Sequence, residues 1–373
     1  MSISKRIEYI DIARGIGILL VVMGHNDFAA ISPFGHKLIY SFHMPLFFFL
    51  SGYFFKTAIG FWDFFQKRFH AIMKPYFFTI FLIYFISLSF GKMGFQTALT
   101  RIIKSLYGAG YYLDWVQLWF LPHLFVVSLY AFLFYAVLAR VDNRWIRWIV
   151  LLLTLGIASL FLQTFYPFSL SIFGKNYELF GLPFSLDLVL LSGFFFVLGS
   201  EARTLTSASL FSNVFILIGT GVLMIVLNMA FSARIDFNTR VYESFVINTI
   251  EAIIGILFVL ALSRQIELHT HWLASFFKYC GKISLILLLF HVPIQDFWGQ
   301  KILAVTGNLP LSIWLAFFMG VLGPIILYEL FIKINPVASF WFGREAELPR
   351  THEEAIPADV MKPEENQQPV VNQ

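Results

Sequence analysis

The chain has 373 residues, is 58% hydrophobic and only 13% charged, and has a mean hydropathy of +0.76; a soluble domain carries nearer a quarter of charged residues, so a soluble globular protein is excluded. The net charge of +4 is too small and too dispersed for a nucleic-acid binder. A single cysteine, Cys280, excludes an internal disulfide. The fold class that remains is all-α, a polytopic membrane helix bundle. Backbone groups in lipid must pair within their own segment, and the alternation of barrel strands is missing.

Crossing about 30 Å of hydrocarbon takes roughly 20 apolar residues. Ten runs meet that need, at about 10–30, 38–56, 72–90, 116–139, 146–166, 180–199, 210–231, 244–263, 279–297 and 311–333. Lys5 and Arg6 precede the first run, which lacks a small-x-small exit and is read as a retained signal anchor rather than a cleaved signal peptide. With the N-terminus in the cytoplasm, the inside segments hold 17 Lys and Arg and the outside segments 8. That bias places both termini inside, with Lys92, Arg101 and Lys104 as the contrary evidence. One membrane domain is expected over 1–342. Residues 343–373 are rich in Glu, Pro and Gln, cannot bury a core, and read as a disordered cytoplasmic tail.

The first run holds Asp11, Arg14 and His25. An ionisable group in hydrocarbon costs about 2.5 kcal/mol or more and is kept where it faces a bundle interior or a wet cavity. Arg14 and His25 are eleven positions apart, about three helical turns, so they share a face and stand about 16 Å apart along the axis. Asp11 shares that face, where an Asp11–Arg14 pair serving the fold alone is the plain alternative. The second run opens with His43, at a depth similar to His25, followed by Pro45 and the small pair Ser51-Gly52. Asp11, Arg14, His25 and His43 are the catalytic candidates.

Phe65-Gln-Lys67-Arg68 and Lys74-Pro75-Tyr76 form a basic stretch on the inner side, and Arg144-Trp-Ile-Arg147 forms another. Both read either as plain positive-inside signals or as a dock for a phosphorylated donor such as coenzyme A. Lys67, Arg68, Lys74, Arg144 and Arg147 are the candidates for that dock. Trp119 and His123 open the fourth run near the outer face, as an interface anchor or as sugar-stacking and substrate-binding residues. Asp187, Glu251, His291 and Glu329 are further ionisable groups within the runs, without an assigned role. Metal-ligand spacing is absent, and no metal is expected.

The segment from Arg14 through His25 to Ser41-Phe-His-Met-Pro-Leu-Phe-Phe-Phe-Leu-Ser-Gly-Tyr53 closely resembles the bacterial acyltransferase-three family, in particular its fucose-4-O-acetylase-like branch. The resemblance continues through Lys67-Arg68, Lys74-Pro75-Tyr76, Trp119-Phe-Leu-Pro122 and Gly281-Lys-Ile-Ser284 to His291, and covers about residues 5–333. The fused extracytoplasmic esterase-like domain of some relatives is not part of it. The resemblance implies a bacterial inner-membrane O-acyltransferase, with His25 and Arg14 as its essential pair. It would move acetyl from cytoplasmic acetyl-CoA, a substrate rather than a resident cofactor, to a sugar hydroxyl on an envelope or exported polysaccharide. Expected partners are acyl-CoA, the glycan acceptor, the lipid bilayer and proteins of polysaccharide biosynthesis or export. A glycan transporter or flippase is the rival reading; a membrane sensor or scaffold would leave Arg14 and His25 without a purpose.

Overall fold

The computed structural model describes residues 7–55, 60–141, 143–205 and 208–342. The expected tail 343–373, the basic start at Lys5 and Arg6, and Lys56 lie outside the described residues. The described chain is helical with only two small hairpins, in line with the all-α expectation.

Helix α1 (Glu8–Gly24) is apolar on nearly every side and sits inside the bundle, as a helix hydrophobic all round must. It is followed by α2 (Pro33–Tyr40), whose N-cap Ser32 accepts from the Gly35 N–H, and by α3 (His43–Tyr53), with Pro45 in its first turn where a missing N–H costs nothing. The first two runs are therefore shorter helices, of 17 residues and of 8 and 11, rather than continuous spans over 10–30 and 38–56. Next come α4 (Phe61–Ser89), with a π-helical turn over Phe69–Met73, and α5 (Phe95–Leu106). After them run α6 (Val116–Val137) and α7 (Arg144–Phe161). Strands β1 (Phe168–Ile172) and β2 (Lys175–Leu179) form one antiparallel hairpin. Helices α8 (Val189–Leu205) and α9 (Val214–Ala230) precede a second, shorter hairpin, β3 (Ile235–Asp236) and β4 (Val241–Tyr242).

The last third contains α10 (Phe245–His269), α11 (His271–Lys282), α12 (Ser284–Thr306), α13 (Leu309–Leu327) and the short α14 (Pro336–Trp341). Helices α11 and α12 meet at 83°, and the bend falls inside the run expected at 279–297. That run holds Gly281-Lys-Ile-Ser284, which breaks the helix although no proline marks the place. Helix α12 returns as α13 through Gly307, at φ +62°, and Asn308, which caps α13 by accepting from the Leu311 N–H. Five described helices are long and apolar enough to cross a bilayer, six if the bent pair counts as one span, and α7 and α9 are shorter apolar helices.

Close backbone crossings fix the bundle around α1 and α3. A Cβ on Gly15 would meet the Phe277 carbonyl oxygen at 1.9 Å, and one on Gly281 would meet the Asp11 carbonyl at 2.4 Å, so α1 and α11 touch backbone to backbone. Helices α3 and α8 do the same, with Gly52 against the Phe196 carbonyl and Gly199 against that of Phe49. Small residues permit this in membranes, and the pairing explains Ser51-Gly52. Gly52→Leu is expected to destabilise the full chain by about 1–3 kcal/mol or more, as overpacking does. Gly156→Ala, in α7 with open space beside it, should leave the thermal midpoint in detergent level or raised. Equal midpoints for the two variants would refute the crossing.

Candidate functional site

Helix α1 stops at Gly24, and His25 is the residue after its last turn; its N–H still reaches the Val21 carbonyl at 3.1 Å, so the backbone continues the helical path. Among the described residues the His25 imidazole makes no hydrogen bond. It opens instead into a cavity of about 20 Å³ shared with Met44, Phe47, Gln117, Trp119 and Phe120. The ring of His291, fully buried on α12, lies 5.3 Å from it, centroid to centroid. Nδ1 of His291 contacts the Leu287 carbonyl at 2.8 Å. A carbonyl only accepts, so that nitrogen donates, and in a neutral ring Nε2 is left with its lone pair.

Helices α2 and α3 bring three more rings to the same end of α1. The Tyr40 hydroxyl donates to the Gly24 carbonyl at 3.2 Å. His36 stacks on Tyr40 at 4.1 Å, and His43 meets Tyr40 edge-on at 4.7 Å. His43 is buried and donates through Nδ1 to the Ile39 carbonyl at 2.9 Å. His36 lies ahead of the second apolar run; burial pulls its pKa below the ordinary imidazole value, against the opposing pull of Asp236 on the β3–β4 hairpin. Tyr40 thus links the helix ends that carry His25 and His43.

Arg14 and Asp11 belong to the other half of α1. The Arg14 guanidinium carbon sits 4.8 Å above the ring of Phe54, just past the end of α3. Asp11 is buried where α1 crosses α11. Close by, Lys278 pairs with Glu8 at 2.8 Å. The cations expected to hold a phosphorylated donor are engaged in different ways. Lys67 is exposed, Arg68 lies over the Phe64 ring at 5.5 Å, and Lys74 lies over the Phe340 ring of α14 at 4.0 Å. Arg147 stands 4.0 Å from Glu201 on α8, whose carboxylate also accepts from Tyr135 at 2.9 Å. Arg144 begins α7, and only its backbone is described.

Of the two aromatic candidates at the start of α6, the structure keeps one at the cavity. Trp119 lines it beside His25 and stacks on His123 at 5.5 Å. His123 itself is wholly buried, not at an outer surface. Its Nε2 contacts the Ser192 hydroxyl at 2.7 Å and its Nδ1 the Phe184 carbonyl at 3.2 Å. With both ring nitrogens used, it ties α6 to α8 and has nothing left for a substrate, which corrects the expectation that it binds one.

Above this end of α1 lies a cap built from the loops. Arg240, in the β3–β4 hairpin, is buried to 1% exposure and forms a two-pronged pair with Asp187, at 2.7 and 3.2 Å. Phe237 of the same hairpin stacks on Phe48, which packs against Phe120 of the cavity wall.

Sequence reasoning did not single out Gln117, Gln295 or Asn26 at this end of α1. Gln117 donates to the Leu289 carbonyl at 3.1 Å, Gln295 to Val22 at 2.9 Å, and Asn26 to Ile313 at 2.7 Å. An amide buried in an apolar run carries no spacing signal, and these partners lie 172, 273 and 287 positions away. His291 was visible only as one more ionisable group within a run.

A family model described as an acyltransferase domain, of the acyltransferase-three type, matches residues 7–329. No curated protein and no solved structure matches the chain.

Proposed function

The chain belongs to the acyltransferase-three family and is a multi-pass membrane acyltransferase, and from that premise we propose that it moves acetyl from cytoplasmic acetyl-CoA to a sugar hydroxyl of an envelope or exported polysaccharide in a bacterial inner membrane. The observation that carries the reading is the placement of His25. It is an imidazole without a hydrogen-bonding partner among the described residues, opening into an apolar-walled cavity at one end of the central helix. Arg14 lies three turns away on that same helix.

In this reading His25 is the general base. It takes the proton of the acceptor hydroxyl as the oxygen attacks the thioester carbonyl. The new O–C bond forms, the C–S bond breaks, and the proton passes from the imidazolium to the departing thiolate, so coenzyme A leaves as its thiol. Arg14 holds the donor from the N-terminal half of α1, and Asp11 orients Arg14. His43 supports the helix end through its bond to Ile39. Trp119 offers an apolar face to the sugar. The cavity of about 20 Å³ exceeds the roughly 10–15 Å³ that one water needs by little. Donor and acceptor therefore meet only when α3, α6 and the cap part.

The test uses membranes carrying the full chain, with radiolabelled acetyl-CoA. Label entering the envelope glycan, and a glycan mass raised by one acetyl relative to cells lacking the gene, is the expected result. An unmodified but mislocalised glycan would return the chain to the transporter reading. Changing Lys67 and Arg68 together to Gln should raise KM for acetyl-CoA severalfold with little change in kcat, because they would act in uniform binding. Unchanged acetyl-CoA dependence would leave the two as topology signals alone.

A further inference from the structure

We infer that Gln117, Gln295 and His291, with Asn26 beside His25, form a subsite that only accepts hydrogen bonds and therefore takes the polyhydroxyl acceptor rather than the acyl donor; this rests on the proposed acyl transfer and names the residues that would select its acceptor.

The argument is a count of donors and acceptors. Each of the three amides faces a backbone carbonyl: Gln117 that of Leu289, Gln295 that of Val22, and Asn26 that of Ile313. A carbonyl cannot donate, so each amide must present its NH₂ there, and the choice of flip is settled by chemistry. The amide oxygens are what remains. Oε1 of Gln117, Oε1 of Gln295 and Oδ1 of Asn26 are all buried without a hydrogen-bond partner among the described residues. Nε2 of His291 is the fourth such atom, since Nδ1 of that ring donates to Leu287.

Four buried acceptors thus stand unpaired around one helix end. Gln117 shares the cavity with His25, His291 faces His25 at 5.3 Å, and Gln295 is one turn further along α12, bonded to the last turn of α1. Leaving a buried polar group unpaired costs about 1–3 kcal/mol, so a ligand that satisfies several of them gains accordingly. The ligand must bring donor protons. The acyl end of the donor, its methyl group, carbonyl and thioester sulfur, brings none, and the nearest donor on the pantetheine arm is an amide N–H two carbons beyond the sulfur, whereas adjacent sugar hydroxyls bring one each. The volume beside His25 suits a hydroxyl group and not a ring. When α3, α6 and the cap part, the sugar ring comes against Trp119 with the reacting hydroxyl at His25 and its neighbouring hydroxyls toward the amide oxygens.

The test separates acceptor from donor. Full-length protein in nanodiscs is assayed for transfer from labelled acetyl-CoA to isolated envelope glycan, with each substrate varied. Gln117→Leu and Gln295→Leu should each raise KM for glycan at least fivefold and leave KM for acetyl-CoA within twofold. An unchanged glycan KM, or both KM values moving together with a fallen thermal midpoint, would overturn the subsite. Equilibrium dialysis of a radiolabelled methyl hexoside against the same protein is the second arm. Wild-type binding that both variants lose upholds the subsite even if no acetyl is transferred, and in that case the acyl-transfer reading fails alone. No wild-type binding of the hexoside, together with an unmoved glycan KM, removes the subsite.

Discussion

Replacing His25 by Ala is expected to abolish acyl transfer in cells while the protein accumulates and inserts normally. The fold loses little, because the imidazole makes no hydrogen bond among the described residues and already borders a cavity. Its neighbours Gly24 and Val21 are held by backbone bonds that the substitution leaves alone. The chemistry loses its proton acceptor, and a positioned general base is worth about 10²–10⁴ in rate. His25→Gln keeps polarity and size and removes basicity, so it should be as inactive as His25→Ala. A Gln variant that retains transfer would make His25 a hydrogen-bonding residue only. Brief exposure to labelled acetyl-CoA without acceptor divides the mechanism further. Label that stays on the denatured wild-type chain and is lost in His25→Ala would make His25 the carrier of the acyl group rather than a base. Normal glycan acetylation by His25→Ala would end the proposal.

What the sequence revealed and what it hid follow from the physics of each signal. Arg14 and His25 stood out because charge in an apolar run is costly, and a single local pattern reported it. The all-helical class followed from composition, and the family match over residues 7–329 agrees with the motifs at Arg14, His25 and Ser41–Tyr53. The bend between α11 and α12 was hidden inside an apolar run, since Gly281 and Ser284 break the helix without the mark that proline leaves. The burial of His123 comes from the packing of α6 on α8 and from Ser192, 69 positions away, which its place in the run does not show. The amides around His25 were illegible for the same reason. Their meaning lies in which backbone carbonyl each one meets, and that is a property of the assembled bundle.

The Asp187–Arg240 pair is the other place where a single substitution should have a large effect. It joins residues 53 positions apart, at 0% and 1% exposure, and the sequence alone gives Asp187 no role. Nε and Nη2 of Arg240 donate to the two carboxylate oxygens, Nη1 donates to the Asn238 carbonyl at 2.6 Å, and the Asp187 carboxylate also accepts from the Leu182 N–H at 2.8 Å. The guanidinium lies over Tyr166 at 4.8 Å, and Gly181, at φ +84°, leaves it room where a Cβ would come within 2.2 Å. Removing one partner strands a buried charge, which costs about 3–5 kcal/mol. Arg240→Met and Asp187→Leu should therefore each lower stability by that much, read as the thermal midpoint of the full chain in detergent. The double variant removes both charges and should recover a good part of the loss. Recovery stays incomplete, because the Leu182 N–H and the Asn238 carbonyl still lose their partners. Strict additivity of the two losses would mean that the pair is not the unit holding the cap. The effect should reach the active end, since the same hairpin sets Phe237 against Phe48 and, through it, Phe120 beside His25. Each single variant should then lose acyl transfer more steeply on warming than its loss of folded protein accounts for, and the double variant should regain both together.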